Sequence, residues 1–300
     1  MSAAATDRLV LGFPDYRKPA HSVAAKAGYA YQDIAVHHFP DDESLVRLPA
    51  RLPAEVVLYT SLDDPNRRLV ELELAAATAK ELGAERLTLV APYLCYMRQD
   101  MAFHPGEAVS QRVIGALLAR HFDTLVTVDP HLHRVARLSE AVPVRRAITL
   151  SAAPVITEWL QQRGGDPLLM GPDEESEQWV SAIAAPAKLD YAVAHKHRRG
   201  DRDVTITLPE SAVAGRDVIL IDDIASTGRT LAGAARQLAD QGAGTVSVVV
   251  SHALFAGDAL QTIRDAGVGE VVSTNSIRHA TNRLSLDHVV SRALVEENVD

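Results

Sequence analysis

The sequence has one cysteine and no long apolar run. The single cysteine, Cys95, excludes an internal disulfide and a thiolate metal cage, because both need several thiols. The longest apolar stretch, around residues 87–97, is too short to span a bilayer and contains Pro92. The first residues lack a basic segment followed by an apolar core. We therefore expect no membrane partner, no secretory signal and a cytoplasmic location.

The sequence also lacks the patterns of several phosphate-binding classes. A formal net charge of −9 argues against an extended nucleic-acid surface, so no nucleic acid partner is expected. No G-x-x-x-x-G-K-[ST] motif occurs, which excludes a P-loop kinase. Gly242 and Gly244 begin a dinucleotide-type fingerprint without its third glycine, and we interpret them as the end of a helix. Any phosphate chemistry should therefore depend on local basic groups.

Short apolar runs alternate with amphipathic runs along the chain. This alternation predicts an α/β fold with parallel sheets covered by helices. Two sheets in tandem are expected, in domains 1–143 and 144–300, and the helical run 285–295 is a candidate to pack back on the first domain. The predicted strands are 9–11, 56–60, 87–91, 125–128, 168–170, 191–194, 218–221, 246–250 and 271–273. The clearest helical patterns are 69–82, 109–119, 154–161 and 231–241.

The stretch 218–230 carries the clearest chemical pattern in the chain. A β-branched strand ends in Asp222 and Asp223, a Ser-Thr-Gly-x-Thr turn follows, and helical apolar spacing resumes at Leu231. Such a unit directs backbone N–H groups, hydroxyls and the positive end of a helix at one point, which suits a phosphate. The two carboxylates can accept hydrogen bonds from vicinal hydroxyls. The pattern therefore indicates a sugar phosphate.

This stretch resembles the ribose-phosphate loop of two families, the phosphoribosyltransferases and the ribose-phosphate diphosphokinases (PRPP synthetases). The loop alone does not separate the two. The resemblance implies that Asp222 and Asp223 hold the ribose hydroxyls. It also implies that the turn cradles the 5-phosphate through Ser226, Thr227, Gly228 and Thr230.

A segment in the first half extends the resemblance to the PRPP synthetases. Residues 92–100 match that family's Pro-Tyr-x-x-Tyr-x-Arg-Gln-Asp segment, which binds ATP there. The match implies ATP binding by Arg98, Gln99 and Asp100.

Residues 39–43 resemble the family's Phe-x-Asp-Gly-Glu element. In that element an aromatic ring stacks on adenine and the acids face the nucleotide. The corresponding residues here are Phe39, Asp41 and Glu43. Because a neighbouring subunit donates this element in the family, the resemblance also implies a homo-oligomer, at least a dimer.

A His-x-His pair follows the predicted strand 125–128. In the family, Thr-Val-Asp-x-His places a histidine close to Mg²⁺–ATP, which implies that role for His131 and a neighbouring place for Asp173. Mg²⁺ is the implied cofactor. The bare pattern also fits the start of a divalent-metal hydrolase site, with His252 as a further candidate ligand. That alternative needs a barrel with more βα units than this sequence contains.

The basic run 195–203 is either a solvated loop or a mobile arm that closes over phosphates. Cationic groups placed where charge develops are the main means of accelerating phosphoryl transfer. In the PRPP synthetases a catalytic Lys-x-Arg occupies this position on a flexible loop. The resemblance therefore implies catalytic roles for Lys196 and Arg198.

The motifs occur in family order from about residue 8 to residue 295. The resemblance implies two tandem phosphoribosyltransferase-type domains, each a mainly parallel sheet flanked by helices. It also implies a reaction in which the diphosphoryl group of ATP passes to the anomeric hydroxyl of ribose 5-phosphate, giving PRPP and AMP. ATP and ribose 5-phosphate are thus the expected substrates.

Four departures from the family pattern leave two alternatives open. Glu175 and Asp42 replace glycines, Met101-Ala102 replaces a basic pair, and Arg229 replaces a small residue. One alternative is a catalytically weak relative that binds nucleotide or sugar phosphate and regulates a partner. The other is a phosphoribosyl enzyme that acts on a different sugar phosphate or base. Retention of the transfer groups favours an enzyme over a regulator.

Overall fold

The computed structural model describes residues 8–132, 134–199, 203–207 and 213–296, with the backbone alone for 195–199 and 203–207. The chain divides into two compact units. The first runs to Leu150 and includes the residues from Leu286 onward, and the second is Ser151–Ser285. In the described part of the chain, no helix has the length and apolar character needed to cross a membrane.

Strands and helices alternate along both units. The strands are β1 (Arg8–Gly12), β2 (Ala30–Asp33), β3 (Ala35–His38), β4 (Ser44–Arg47), β5 (Glu55–Tyr59), β6 (Arg86–Val90), β7 (Thr124–Val128), β8 (Arg146–Leu150), β9 (Leu168–Gly171), β10 (Tyr191–Val193), β11 (His195–Arg199), β12 (Asp203–Thr207), β13 (Val218–Ala225), β14 (Val246–Ala253), β15 (Glu270–Thr274) and β16 (Asn282–Leu284). The α-helices are α1 (Arg17–Ala27), α2 (Pro65–Glu81), α3 (Ser110–Leu118), α4 (Leu138–Ala141), α5 (Ala153–Arg163), α6 (Glu177–Ala187), α7 (Arg229–Asp240), α8 (Ala259–Asp265) and α9 (Asp287–Glu296).

Each unit contains a six-stranded parallel sheet. The strand order is β2-β1-β5-β6-β7-β8 in the first unit and β10-β9-β13-β14-β15-β16 in the second. Central strands such as β7 and β14 are buried along their whole length. Burial on both faces is typical of parallel sheets covered by helices, and it explains the continuous Val and Leu runs.

The two units share a topology. In each sheet the second strand of the unit lies at the edge, outside the first strand. An antiparallel hairpin that is separate from the sheet follows this second strand in sequence. This hairpin is β3–β4 in the first unit and β11–β12 in the second. In both sheets the direction of strand succession reverses beside the first strand, and ligands of open α/β sheets bind at the carboxyl ends there.

All nine predicted strands are confirmed, but one domain boundary and the ends of two strands, β13 and β14, are wrong. A domain boundary after residue 143 would separate β8 from β7, with which it pairs from Thr124↔Arg146 to Val128↔Leu150. The strand predicted as 218–221 runs on to Ala225, because β14 continues to pair with it as far as Ala253. Asp222 and Asp223 therefore lie inside a strand instead of after it.

The last helix completes the first unit. Helix α9 packs against α1, and the buried Tyr29 hydroxyl donates a hydrogen bond to the Leu294 carbonyl at 2.7 Å. Residues from both ends of the described chain therefore contribute to one core, as the helical pattern near residue 290 had suggested.

Helix α7 shows why the second unit needs its amphipathic pattern. Its apolar side is buried in one core with β13 and β14, through Leu231, Ala232, Ala234, Ala235 and Leu238. Burial of a leucine side chain contributes about 1.5–3 kcal/mol. This packing fixes the position of the N-terminal end of α7 beside β13.

Gly115→Ala is expected to destabilise the protein, although alanine is intrinsically the better helix residue. A Cβ at position 115 in α3 would overlap the carbonyl oxygen of Ala141 in α4, and overpacking of this kind costs about 1–3 kcal/mol. Thermal unfolding measures the effect. As a control, Gly269→Ala adds a Cβ whose nearest neighbour, the Val246 carbonyl oxygen, lies at 3.9 Å, and it should change little. Equal midpoints for the two variants would contradict the close approach of α3 and α4.

Candidate active site

The turn between β13 and α7 has the geometry of an anion site. Gly228 caps α7 with φ 71°, a conformation that favours glycine, and no side chain of the described residues caps this helix end. The first turn of a helix presents unsatisfied N–H groups and a partial positive charge. Ser226 and Thr230 are half-buried in this turn, whereas Thr227 is exposed.

The loop after β14 is hydrogen-bonded to this turn. The N–H groups of Phe255 and Ala256 donate to the carbonyl oxygens of Ala225 and Ser226 at 2.8 and 2.9 Å. A Cβ on Gly228 would come within 2.9 Å of the Ala259 carbonyl oxygen. The close approach to α8 is therefore a second reason for glycine at 228.

Three carboxylates interact beside the turn. Burial, followed by the negative charges of Asp223 and Asp173, raises the pKa of Asp222 well above its usual range. The Asp223 N–H also donates to Asp222 Oδ1 at 3.0 Å. These groups come from adjacent strands, because Asp173 follows β9 and β9 pairs with β13. A site with this much concentrated negative charge favours a hydroxyl-rich or cationic ligand.

The loop after β9 is closed on itself. Asp173 accepts a hydrogen bond from the Glu175 N–H at 3.2 Å, and the buried Ser176 hydroxyl donates to the Asp173 carbonyl oxygen at 2.5 Å. A Cβ at Gly171 would overlap the Ser176 hydroxyl. The sequence analysis did not identify Gly171 and Ser176 as parts of this loop. The available signal was their position on either side of Pro172-Asp173. Glu175 itself is exposed, so its side chain does not fill the loop.

Arg98, Gln99 and Asp100 lie in the first unit, after β6, and differ in exposure. Arg98 is exposed, and the half-buried Gln99 donates to the Met101 carbonyl oxygen at 3.1 Å. The Asp100 side chain is buried and pairs with Arg134 at 2.7 Å, and it also accepts from the Arg134 N–H. Sequence reasoning missed Arg134. The only signal for it was a cation shortly after His131.

The tip of the β3–β4 hairpin is an exposed acidic turn. Phe39 is 40% exposed, and the His37 ring meets it edge-on at 4.9 Å. Asp41 accepts from the Glu43 N–H at 3.3 Å, and both of these side chains are exposed. Asp42 has φ 67°, as expected for a residue in place of glycine. An exposed aromatic ring beside carboxylates remains the most prominent feature of this tip.

His131 follows a strained residue at the carboxyl end of β7. Asp129 is buried with φ 37°, which is uncommon for a residue other than glycine and often marks a functional site. His131 is half-buried, and His133 lies outside the described residues. Within the described ranges, no group of three or more His, Cys, Asp or Glu residues could hold a metal ion.

Lys196 and Arg198 lie on β11, which was expected to be a loop. Their backbones pair with Ile206 and Val204 of β12 in an antiparallel hairpin. Their side chains lie outside the described residues. The sequence of β11 gave no strand signal because it is charged. It forms a strand because its backbone pairs with that of β12.

The structure thus assigns the predicted residues to two groups. The nucleotide-type elements and His131 belong to the first unit. Asp173, the β11 pair and the sugar-phosphate turn belong to the second unit. Within the second unit, Asp173 and Asp222 are brought to neighbouring strands at the point where strand succession reverses.

Comparison with known proteins identifies the family. Residues 10–121 match a family model for the N-terminal domain of ribose phosphate pyrophosphokinase, and residues 181–294 match one for the phosphoribosyl synthetase-associated domain. A ribose-phosphate pyrophosphokinase of Methanopyrus kandleri is 34% identical over 85% of this chain and 88% of its own length. This chain belongs to the ribose-phosphate pyrophosphokinase family.

Other members of the family agree with this assignment. The ribose-phosphate pyrophosphokinase of Saccharolobus solfataricus is 35% identical over 80% of this chain and 82% of its own. The crystal structure of phosphoribosylpyrophosphate synthetase from Mycobacterium smegmatis matches with a TM-score of 0.82 at 23% identity, covering 97% of this chain and 99% of that one. At that identity the structural match establishes the fold, which is the tandem α/β architecture expected from the sequence.

Asp222→Asn is expected to stabilise the ligand-free protein. The raised pKa means that the folded state retains a proton that the unfolded state releases. Stability from this carboxyl therefore declines as the pH rises from its ordinary pKa of 3.8 towards the raised value. Asparagine has no such titration, so its advantage should be absent at low pH and grow through this window. Urea unfolding at several pH values measures it.

Asp217→Asn is the matched control of opposite sign. Hydrogen bonds from the Thr245 N–H and hydroxyl lower the pKa of Asp217. Its stabilising contribution is present above the ordinary pKa and is lost as the pH falls through the lowered one. This variant should therefore be less stable than the parent at neutral pH. Destabilisation of equal size in both variants would contradict the charge repulsion at Asp222.

Proposed function

We propose that this chain transfers the β,γ-diphosphoryl group of ATP to the anomeric hydroxyl of ribose 5-phosphate, giving PRPP and AMP. The observation that carries the proposal is the arrangement on β13 and α7. An acidic pair leads into a helix end that no described side chain caps. In a member of the ribose-phosphate pyrophosphokinase family, this arrangement suits a ligand with hydroxyls at one end and a phosphate at the other.

The sugar phosphate is held by opposite charges at its two ends. The N–H groups at the start of α7, with Ser226, Thr227, Gly228 and Thr230, receive the 5-phosphate. Asp222 and Asp223 accept hydrogen bonds from the ribose hydroxyls. The raised pKa of Asp222 shows that its ionised form is disfavoured at this site. Hydrogen bonds donated by the ribose hydroxyls would stabilise that ionised form.

The nucleotide is held by elements of the first unit. Phe39 stacks on adenine, and Asp41 and Glu43 lie beside it on the same exposed turn. Arg98 and Gln99 contact the phosphates and the base edge. Asp100 is held by Arg134, so it acts by fixing this segment as well as by facing the nucleotide. The exposure of Phe39 supports a place for a second copy of the chain at this tip, and we propose a homo-oligomer.

Mg²⁺ fits the donor set of the second unit. This ion keeps several waters and usually takes one or two carboxylates together with substrate phosphates. Asp173 supplies carboxylate oxygens close enough to Asp222 for its charge to raise the pKa of Asp222. We propose that Asp173 holds the ion and that His131 lies near the metal-bound nucleotide. When bound, the ion would neutralise negative charge on the phosphates.

The reaction requires no covalent enzyme intermediate. The anomeric oxygen forms a bond to the β-phosphorus, and the bond from that phosphorus to the oxygen bridging the α-phosphate breaks. The hydroxyl proton is lost, and AMP leaves. The protein contributes position and charge, and we assign to Lys196 and Arg198 the neutralisation of charge on the transferring group.

The direct test is phosphorus NMR of the protein with Mg²⁺, ATP and ribose 5-phosphate. Formation of PRPP and AMP in equal amounts supports the proposal. ADP as the nucleotide product would contradict it. The closed, glutamate-bearing loop after β9 favours one second candidate, a catalytically weak relative that binds these ligands. Binding by calorimetry without turnover would select that candidate.

Lys196→Ala is expected to lower kcat by about 10²–10³-fold, because the lost cation faces charge that develops only during transfer. The Kd for ATP should change little, since the ground state is held by other groups. Initial rates and calorimetry measure the two quantities. An equal loss of binding and turnover would contradict a role confined to transfer.

Glu175→Gly is expected to raise kcat/KM for ribose 5-phosphate, because a negative charge near the diphosphate is removed. The gain should be about fivefold or less, since an exposed charge is screened by solvent. Glu175→Gln is the control that removes the charge and keeps the size. A gain with glycine alone would show that bulk or backbone, and not charge, is the handicap. No gain in either variant would contradict both explanations.

A further inference from the structure

The β3–β4 hairpin stands apart from the sheet of its unit and needs another anchor. It pairs only with itself among the described strands, in the register Ala35↔Arg47 to His38↔Ser44. His38 and Ser44 are thus the pair at the base of the tip, directly before and after residues 39–43. Whatever holds these two residues sets the position of the tip.

One buried carboxylate on α2 contacts both residues of this pair. Glu71 Oε1 lies 2.7 Å from His38 Nε2 and 3.3 Å from the Ser44 hydroxyl. Glu71 is fully buried. Because an ionised carboxylate only accepts hydrogen bonds, His38 donates from Nε2. The base of the tip is therefore joined to α2 by two hydrogen bonds to a single oxygen.

A buried cation holds the other oxygen of the same carboxylate. Arg68 donates to Glu71 Oε2 at 2.7 Å and pairs with Asp15 at 2.5 Å, and it is only 3% exposed. The Arg68 guanidinium also lies 5.3 Å from the centre of the Phe13 ring. Fixed on both sides, Glu71 presents Oε1 to the hairpin in one orientation. Removing one partner of a buried ion pair leaves an uncompensated charge, so this pair is held in place.

The same helix is tied to the second nucleotide element. The Tyr96 hydroxyl donates to Asn66 Oδ1 in the first turn of α2. Tyr96 precedes Arg98 and Gln99 in the segment assigned to ATP. Helix α2 thus contacts the base of the hairpin tip through Glu71 and the Arg98 segment through Asn66.

We propose that Glu71 is a positioning residue for the nucleotide: with His38 and Ser44 it forms a clamp that sets the β3–β4 tip, and so Phe39, for adenine. The inference rests on the proposed function, because it assigns the tip to ATP. Loss of the clamp should loosen the tip, weaken ATP use and leave ribose 5-phosphate use unchanged.

The test uses His38, since removing Glu71 would take from the buried Arg68 the buried one of its two carboxylate partners and would endanger folding. His38→Ala should raise the KM for ATP about three- to tenfold, the effect of one lost hydrogen bond. The kcat and the KM for ribose 5-phosphate should stay within about twofold of the parent. His38→Gln, whose amide can still donate to Glu71, should restore most of the ATP KM.

The control is a second contact between a histidine and a glutamate of α2. His121, which follows α3, has its Nε2 2.8 Å from Glu73 Oε1. His121→Ala therefore removes the same kind of contact to α2 and should leave the KM for ATP unchanged. An ATP KM raised equally in both variants would overturn the clamp, because it would point to a general loosening of α2.

Hydrogen exchange gives a readout that does not depend on activity. The amides of residues 35–47 should exchange faster in His38→Ala than in the parent or in His121→Ala. If the parent makes no PRPP, the proposed function fails, and the exchange data still decide whether the clamp exists. Unchanged exchange would overturn the clamp, and faster exchange with an unchanged ATP KM would overturn its role in nucleotide positioning.

Discussion

The site of the second unit depends on two oppositely charged features at the carboxyl ends of its strands. One is the positive N-terminal end of α7, and the other is a group of carboxylates. Packing of α7 on β13 fixes the helix end, and the pairing of β9 with β13 brings Asp173 near Asp222. Burial, and after it the charges of Asp223 and Asp173, raise the pKa of Asp222. Such repulsion persists only because the surrounding core holds the strands in place. The protein therefore holds three carboxylates at the carboxyl ends of two neighbouring strands, β9 and β13.

The two units share one topology but carry different side chains on it. Each sheet inserts an antiparallel hairpin after its second strand, and these hairpins carry the two elements of most different charge. The tip after β3 has an aromatic ring and carboxylates, whereas β11 carries one lysine and two arginines. At the matching place after β5, the described residues of the first unit are buried and lead into a helix that begins with a proline. The second unit instead has a turn in which Gly228 caps α7.

Much of this arrangement could be predicted because it is local. The strand–turn–helix unit at 218–230 and the Gly228 conformation follow from residues adjacent in sequence. The apolar strands were found because burial on both faces leaves continuous Val and Leu runs. Strands without that signal were missed, among them β2 and β3, which are exposed, and β11, which is charged. The boundary at 143 was wrong because pairing of β8 with β7 is a tertiary contact.

The sequence by itself determined the fold class, the family and the chemical types present at each strand end, since these depend on periodicity and on contiguous motifs. Only the tertiary structure decided which groups constrain one another. It showed that Arg134 holds Asp100, that Ser176 occupies the space a side chain at Gly171 would need, and that Glu71 on α2 contacts His38 on β3. The physical reason is that hydrogen bonds and charge interactions act through space over a few ångströms. Residues far apart in the chain give no pattern by which to pair them.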